Sequence, residues 1–166
     1  MNRDEFVARC EILSGPLAQR AVEAEELRRL PEATLADAHA ADLMRVVVPR
    51  SLGGHGLGLD ALAHGTRAMA RGCPASAWTL SFLMLHGWLL SKLPGEARDE
   101  LFAGGVVPLA PAPLAPTGTI EPTTGPEGAE GYRLSGRWEW ATGVSHADRA
   151  QVLHSLPGAA DRRGGS

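Results

Sequence analysis

The sequence predicts a mainly α protein: an N-terminal helical domain over residues 1–105, a partial antiparallel β-domain over 106–155, and a disordered tail over 156–166. Three observations carry this reading. Apolar residues recur at helical spacing from Pro16 to Phe102. After Gly104-Gly105, the prolines 108, 111, 113, 116 and 122 exclude regular helix. Tyr132, Leu134, Trp138 and Trp140 then alternate with polar or small residues, the period of strands with one buried face.

The first amphipathic helix is expected from Pro16 to Leu30, with Leu17, Ala21, Ala24, Leu27 and Leu30 near one face. Pro31 stops it and opens the next, which carries Leu35, Ala38 and Leu43-Met44 and ends before Arg45. Val46-Val47-Val48 is an extended segment, since Pro49 biases Val48 away from helix. Leu59 to Ala70 keeps helical spacing and Gly72 closes that helix. Ser76 can cap a fourth helix, apolar around most of its girth and placed in the middle of the bundle. Pro94-Gly95 ends it, and Glu96 to Phe102 forms a further short helix. In the second half, Ser135-Gly136 is the expected hairpin turn, and Ala150 to His154 a third strand.

Composition narrows the function. A net charge of −3 offers no basic surface for nucleic acid. The uncharged run Gly72 to Ser91 reaches roughly the ~20 residues of a membrane span. Its Pro74, Ser76, Thr79, Ser81 and His86 favour a buried helix instead. Met1-Asn2-Arg3-Asp4-Glu5 shows no secretory signal, so the cytoplasm is expected, with Cys10 and Cys73 reduced. The histidines at 39, 55, 64, 86, 146 and 154 never pair at ligand spacing, so no metal site is expected. Gly56, Gly58 and Ala61 satisfy G-x-G-x-x-A formally. A full lead-in strand and a downstream acidic residue are missing, and a structural turn is the better reading. His86, alone on an apolar helix, reads as a hydrogen-bonded core residue with a ligand-facing role open. Trp138 and Trp140 beside Thr142 suit either a β-core or a planar ligand.

Three segments carry a resemblance. Val48-Pro49-Arg50-Ser51-Leu52-Gly53-Gly54-His55-Gly56-Leu57 resembles a turn in the N-terminal helical domain of the acyl-CoA dehydrogenase superfamily. Met69-Ala70-Arg71-Gly72-Cys73-Pro74-Ala75-Ser76-Ala77-Trp78, with His86 and Trp88 downstream, is similar to the next helices of that domain, in the version of the flavin-dependent monooxygenase branch. Gly131-Tyr-Arg-Leu-Ser-Gly-Arg-Trp-Glu-Trp-Ala-Thr-Gly143 resembles the strands that begin the family's middle β-barrel.

The resemblance implies an acyl-CoA dehydrogenase-like fold with its barrel incomplete, and a flavin cofactor, FAD or FMN. Trp140, Ala141 and Thr142 would lie against the flavin, Trp140 walling the ring and Thr142 bonding its polar edge. Thr117 and Gly118 match a loop that approaches the flavin in relatives, and Trp78 and His86 become candidate substrate-pocket residues. It also implies a flavin-dependent oxidoreductase, dehydrogenase-like or two-component monooxygenase-like. The substrate would be an acyl thioester or an aromatic, polyketide-like molecule. A flavin reductase or electron-transfer flavoprotein would be the partner, and full-length relatives form homo-oligomers. Family members are more than twice as long, and their C-terminal bundle carries the dehydrogenases' catalytic carboxylate. No catalytic residue is therefore assigned here. The chain reads as truncated, with a remnant or helical interaction domain that holds no flavin by itself as the alternative.

Overall fold

The computed structural model describes residues 1–125, 128, 130–147, 149, 150 and 152. The chain divides into two units, Met1–Pro111 with Thr142–Ala150, and a second built on Ala112–Ala141. Of the expected third strand only Ala150 and Val152 are among the described residues, and the expected tail lies outside them.

In the first unit, α1 (Arg3–Gln19) opens on a reciprocal cap: the Asn2 side chain accepts from Glu5 N–H, and the Glu5 carboxylate accepts from Asn2 N–H. Phe6, Cys10, Leu13 and Leu17 form its buried stripe. This corrects the expected first helix. Pro16 lies inside α1 rather than at a helix start, and α2 (Ala21–Leu27) is a separate short helix without a buried residue. Proline in the last turn costs the helix one bond, which the packing of Leu13 and Leu17 offsets.

Helix α3 (Glu32–Ala40) follows Pro31 but stops short of the expected end, because Asp42 turns left-handed at φ +57°. The buried Val46, Val47 and Val48 then pair with the glycine-rich loop. Arg45, Val46 and Val48 carbonyls accept from His55, Leu57 and Gly56 N–H at 2.9–3.0 Å. Gly54 passes so close to the Val48 carbonyl that a side chain there would collide with backbone. These glycines serve a tight turn.

Helices α4 (Leu59–Ala70), α5 (Pro74–Leu90) and α6 (Gly95–Phe102) stand where helical spacing put them. Helix α5 begins at Pro74 with Cys73 as its N-cap, so Ser76, expected as the cap, is inside the first turn and caps nothing. No helix among the described residues is long and apolar enough to cross a membrane. α1 packs on α4, and α4 on α5, around a core that includes Phe6, Leu17, Leu43, Met69, Leu80, Leu83 and Met84. A smaller cluster of Val48, Leu90, Phe102, Val107 and Ala110 brings the chain back along α5 after α6.

The second unit holds a two-stranded antiparallel sheet, β1 (Thr119–Thr124) with β2 (Glu130–Ser135). The hairpin expected to turn at Ser135-Gly136 is thus not formed. β2 pairs backward with β1, Ile120 opposite Leu134 and Pro122 opposite Tyr132, and residues 136–141 are not strand. Gly128, not Gly136, supplies the left-handed glycine, at φ +81°. Proline is tolerated in β1 because a two-stranded sheet has only edge strands.

Candidate functional site

Helix α5 builds the first part of the site. Trp78, Phe82 and His86 follow one another at i, i+4 and i+8, so their rings line one helix face. The Trp78 and Phe82 centroids are 4.7 Å apart at 36°, and Phe82 meets His86 edge-on at 5.5 Å and 84°. Such contacts are worth about 0.5–1.5 kcal/mol each beyond area burial. The stripe runs from a Trp78 that is 58% exposed to a His86 that is 4% exposed.

The chain after α6 fixes the histidine. His86 Nδ1 lies 2.7 Å from the Ala110 carbonyl oxygen. A carbonyl only accepts, so Nδ1 carries the hydrogen, and in the neutral ring Nε2 is the acceptor. Burial pushes the imidazole below its ordinary value, opposed by the bond to Ala110. Gly87 permits this approach, since a Cβ there would stand 2.7 Å from Val107 Cγ1.

The segment from Thr142 to Ala147, in the same unit, is seated twice. Gly143, left-handed at φ +83°, packs on Leu83 of α5, and His146 Nε2 accepts from Leu30 N–H at 3.1 Å. Thr142 is half-buried and its hydroxyl has no hydrogen-bond partner among the described residues.

In the second unit Trp140 is 92% exposed and held at φ +61°, a strained value for a bulky residue. Trp138 packs against Gly118 and Gly136, where no side chain would fit, and its enclosed Nε1–H has no acceptor among the described residues. Thr117 Oγ donates to the Arg137 carbonyl at 2.8 Å. Thr117 and Gly118 therefore spend a hydroxyl and a Cα surface on their own unit. Trp78 and His86 are brought onto one stripe of the first unit, which also contains Thr142; Trp140 and Ala141 belong to the second. Sequence reasoning missed Phe82 as the rung joining Trp78 to His86, although its i+4 spacing was readable. The Ala110 carbonyl had no signal in sequence. No cluster of three or more His, Cys, Asp or Glu side chains fit to hold a metal exists among the described residues.

No family model matches the chain. The pigment production hydroxylase of Rhodococcus sp. is 30% identical over 148 residues, 89% of this chain and 37% of that protein. The oxygenase component of the FADH(2)-dependent resorcinol hydroxylase of Rhizobium sp. is 30% identical over 133 residues, 80% of this chain and 31% of that protein. Among solved structures, the HsaA monooxygenase of M. tuberculosis matches with a TM-score of 0.82 at 25% identity, over 92% of this chain and 40% of that one. XiaF from Streptomyces sp., solved with FADH2 and glycerol, also has a TM-score of 0.82, at 29% identity over 90% of this chain and 37% of that one. With the sequence segments above, these matches show an acyl-CoA dehydrogenase-like fold. The relatives include oxygenase components of flavin-dependent monooxygenases, and the chain spans about a third of the length of the curated ones.

Proposed function

We propose that this chain supplies the helical front and the first strands of an oxygenase component of a two-component flavin-dependent monooxygenase, acting on a small phenolic ring. A separate flavin reductase delivers the reduced cofactor, FAD or FMN. The observation that carries the reading is the α5 stripe. Trp78 and Phe82 present ring faces to a planar substrate, and a phenolic hydroxyl can donate to the His86 acceptor nitrogen. The named substrates of two relatives, resorcinol and p-hydroxyphenylacetate, are phenols, which favours a phenol over an acyl thioester.

Each unit by itself carries a residue of a kind that suits a flavin: the second an indole with almost no cover at Trp140, the first a half-buried, unpartnered hydroxyl at Thr142. Trp140, Ala141 and Thr142 would hold the flavin. Bound reduced flavin supplies the electrons and the oxygen activation. This chain's own residues do the rest: Trp78 and Phe82 orient the substrate ring, and His86 fixes the hydroxyl. Thr117 and Gly118 act at one remove, by setting Arg137 and Trp138.

A second reading, a helical domain that holds no flavin by itself, is favoured by one observation: Tyr132 and Leu134 leave the face of the two-stranded sheet open. One titration separates the two. Reduced and oxidised FAD and FMN are added to the purified chain, following tryptophan fluorescence and flavin absorbance. The first reading expects saturable quenching that Trp140→Ala removes. No quenching at millimolar flavin leaves the second.

A further inference from the structure

A cavity of about 610 Å³ lies in the first unit where α2 faces the start of α5, away from the Trp78 stripe. Ala21, Ala24, Leu30 and Pro74 give it apolar walls. One end is the N-terminus of α5, which is uncapped. Cys73 makes no side-chain cap bond, Pro74 has no N–H, and the first backbone bond runs from Ala77 N–H to the Cys73 carbonyl at 3.0 Å. The N–H groups of Ala75 and Ser76 therefore have no acceptor among the described residues. A helix start in this state carries partial positive charge.

Two side chains turn this into a built site. Ser76 lines the cavity, is only 3% exposed, and its hydroxyl has no partner among the described residues. The Ser76 side chain is thus held in place by packing, with its unpartnered hydroxyl open to the cavity and free to donate to an acceptor there. Arg28 lines the same cavity and makes no ion pair among the described residues, whereas Arg29 is paired with Glu32. Thr79 is not available, because its hydroxyl already donates to the Ala75 carbonyl.

We propose that this cavity binds a small monocarboxylate with an apolar body. The carboxylate accepts from Ala75 N–H, Ser76 N–H and Ser76 Oγ–H, Arg28 supplies the countercharge, and the body lies against Ala21, Ala24 and Leu30. Glu25, also on the wall, selects a single negative charge over a dianion such as phosphate. None of these residues belongs to the proposed flavin or phenol sites, so this assignment stands or falls independently of them.

The probe is hexanoate, whose aliphatic body does not report on the tryptophan stripe. It is added to the full chain and followed by amide NMR and calorimetry. Shifts are expected to centre on Ala75 and Ser76. R28Q and S76A should each weaken binding about tenfold, the effect of removing one charge-assisted hydrogen bond. Neutral hexanamide should bind at least as much more weakly. Arg28 is exposed, so R28Q keeps the test open if S76A unfolds. Shifts centred elsewhere, equal affinity of R28Q and wild type, or tighter binding of inorganic phosphate than of hexanoate would each overturn the assignment.

Discussion

Gly143 lies against Leu83 so closely that a Cβ on it would stand 2.7 Å from Leu83 Cδ2, and its φ of +83° is one that L side chains rarely adopt. Both facts point the same way. Gly143→Ala should destabilise the chain by about 1–3 kcal/mol, from overpacking and left-handed strain together. Denaturant unfolding measures it. A change below 0.5 kcal/mol would show that this segment is not seated on α5.

Gly65 sets two effects against each other. Alanine in a helix interior gains about 1 kcal/mol over glycine. Here, however, the new methyl would enter the fully buried Phe6 ring and approach Cys10 Sγ to 2.9 Å. Overpacking costs about 1–3 kcal/mol, so Gly65→Ala should be net destabilising. Phe6→Leu in the same chain should recover part of the loss, a coupling read from a double-mutant cycle.

The depressed pKa of His86 has a sign that can be checked. Burial holds the folded imidazole neutral, while the unfolded chain takes up a proton near its ordinary 6.5. The unfolded state then binds more protons as pH falls, so this contribution to stability is complete above about 6.5 and lost below it. His146, lowered mainly by burial with Arg29 adding to the effect against Glu32, acts in the same direction. His86→Asn keeps a donor where Nδ1 stands and should flatten the slope of the unfolding midpoint between pH 7.5 and 5.5, leaving the His146 part. An unchanged slope would place the proton uptake elsewhere.

Asp42 tests charge and backbone at one position. Burial raises its carboxyl, but hydrogen bonds from Arg45 at 2.6 Å and His55 at 2.8 Å outweigh that and hold it below its ordinary value. Its stabilisation is present above the unfolded value near 3.8 and lost as pH falls through the folded one. Asp42→Asn tolerates the left-handed backbone and should cost about 1 kcal/mol, the scale of a partly exposed pair. Asp42→Ala adds strain and should cost about 1 kcal/mol more. Thermal melts at pH 7 rank the two, and a shallower acid loss in Asp42→Asn checks the linkage.

How much was legible follows from where local signals agreed. α4, α5 and α6 were readable because glycine and proline punctuate them and their apolar residues keep one period. The first helix was misread for a local reason: Pro16 resembles a helix start, yet Asn2 with Glu5 and the spacing of Phe6, Cys10, Leu13 and Leu17 announce a helix from Arg3. β1 was missed because Thr119–Thr124 contains a proline and three threonines rather than alternating apolar residues, so its pairing with β2 is decided by register alone. Of the candidate site, the residue types were visible and their partners were not. The bond from His86 to Ala110 spans 24 residues and comes from how the chain returns after α6.

That return also orders events in time. Gly87 with Val107 and His86 with Ala110 close a short loop around α6, whereas α1 meets α4 only across the longer stretch of residues 20–58. Shorter closures cost less entropy and form sooner. Helices α5 and α6 with their return segment should therefore condense first, and α1 should dock last. Substitutions at Val107 would then slow folding, while those at Phe6 would mainly speed unfolding, a division that stopped-flow kinetics on the two variants reads directly.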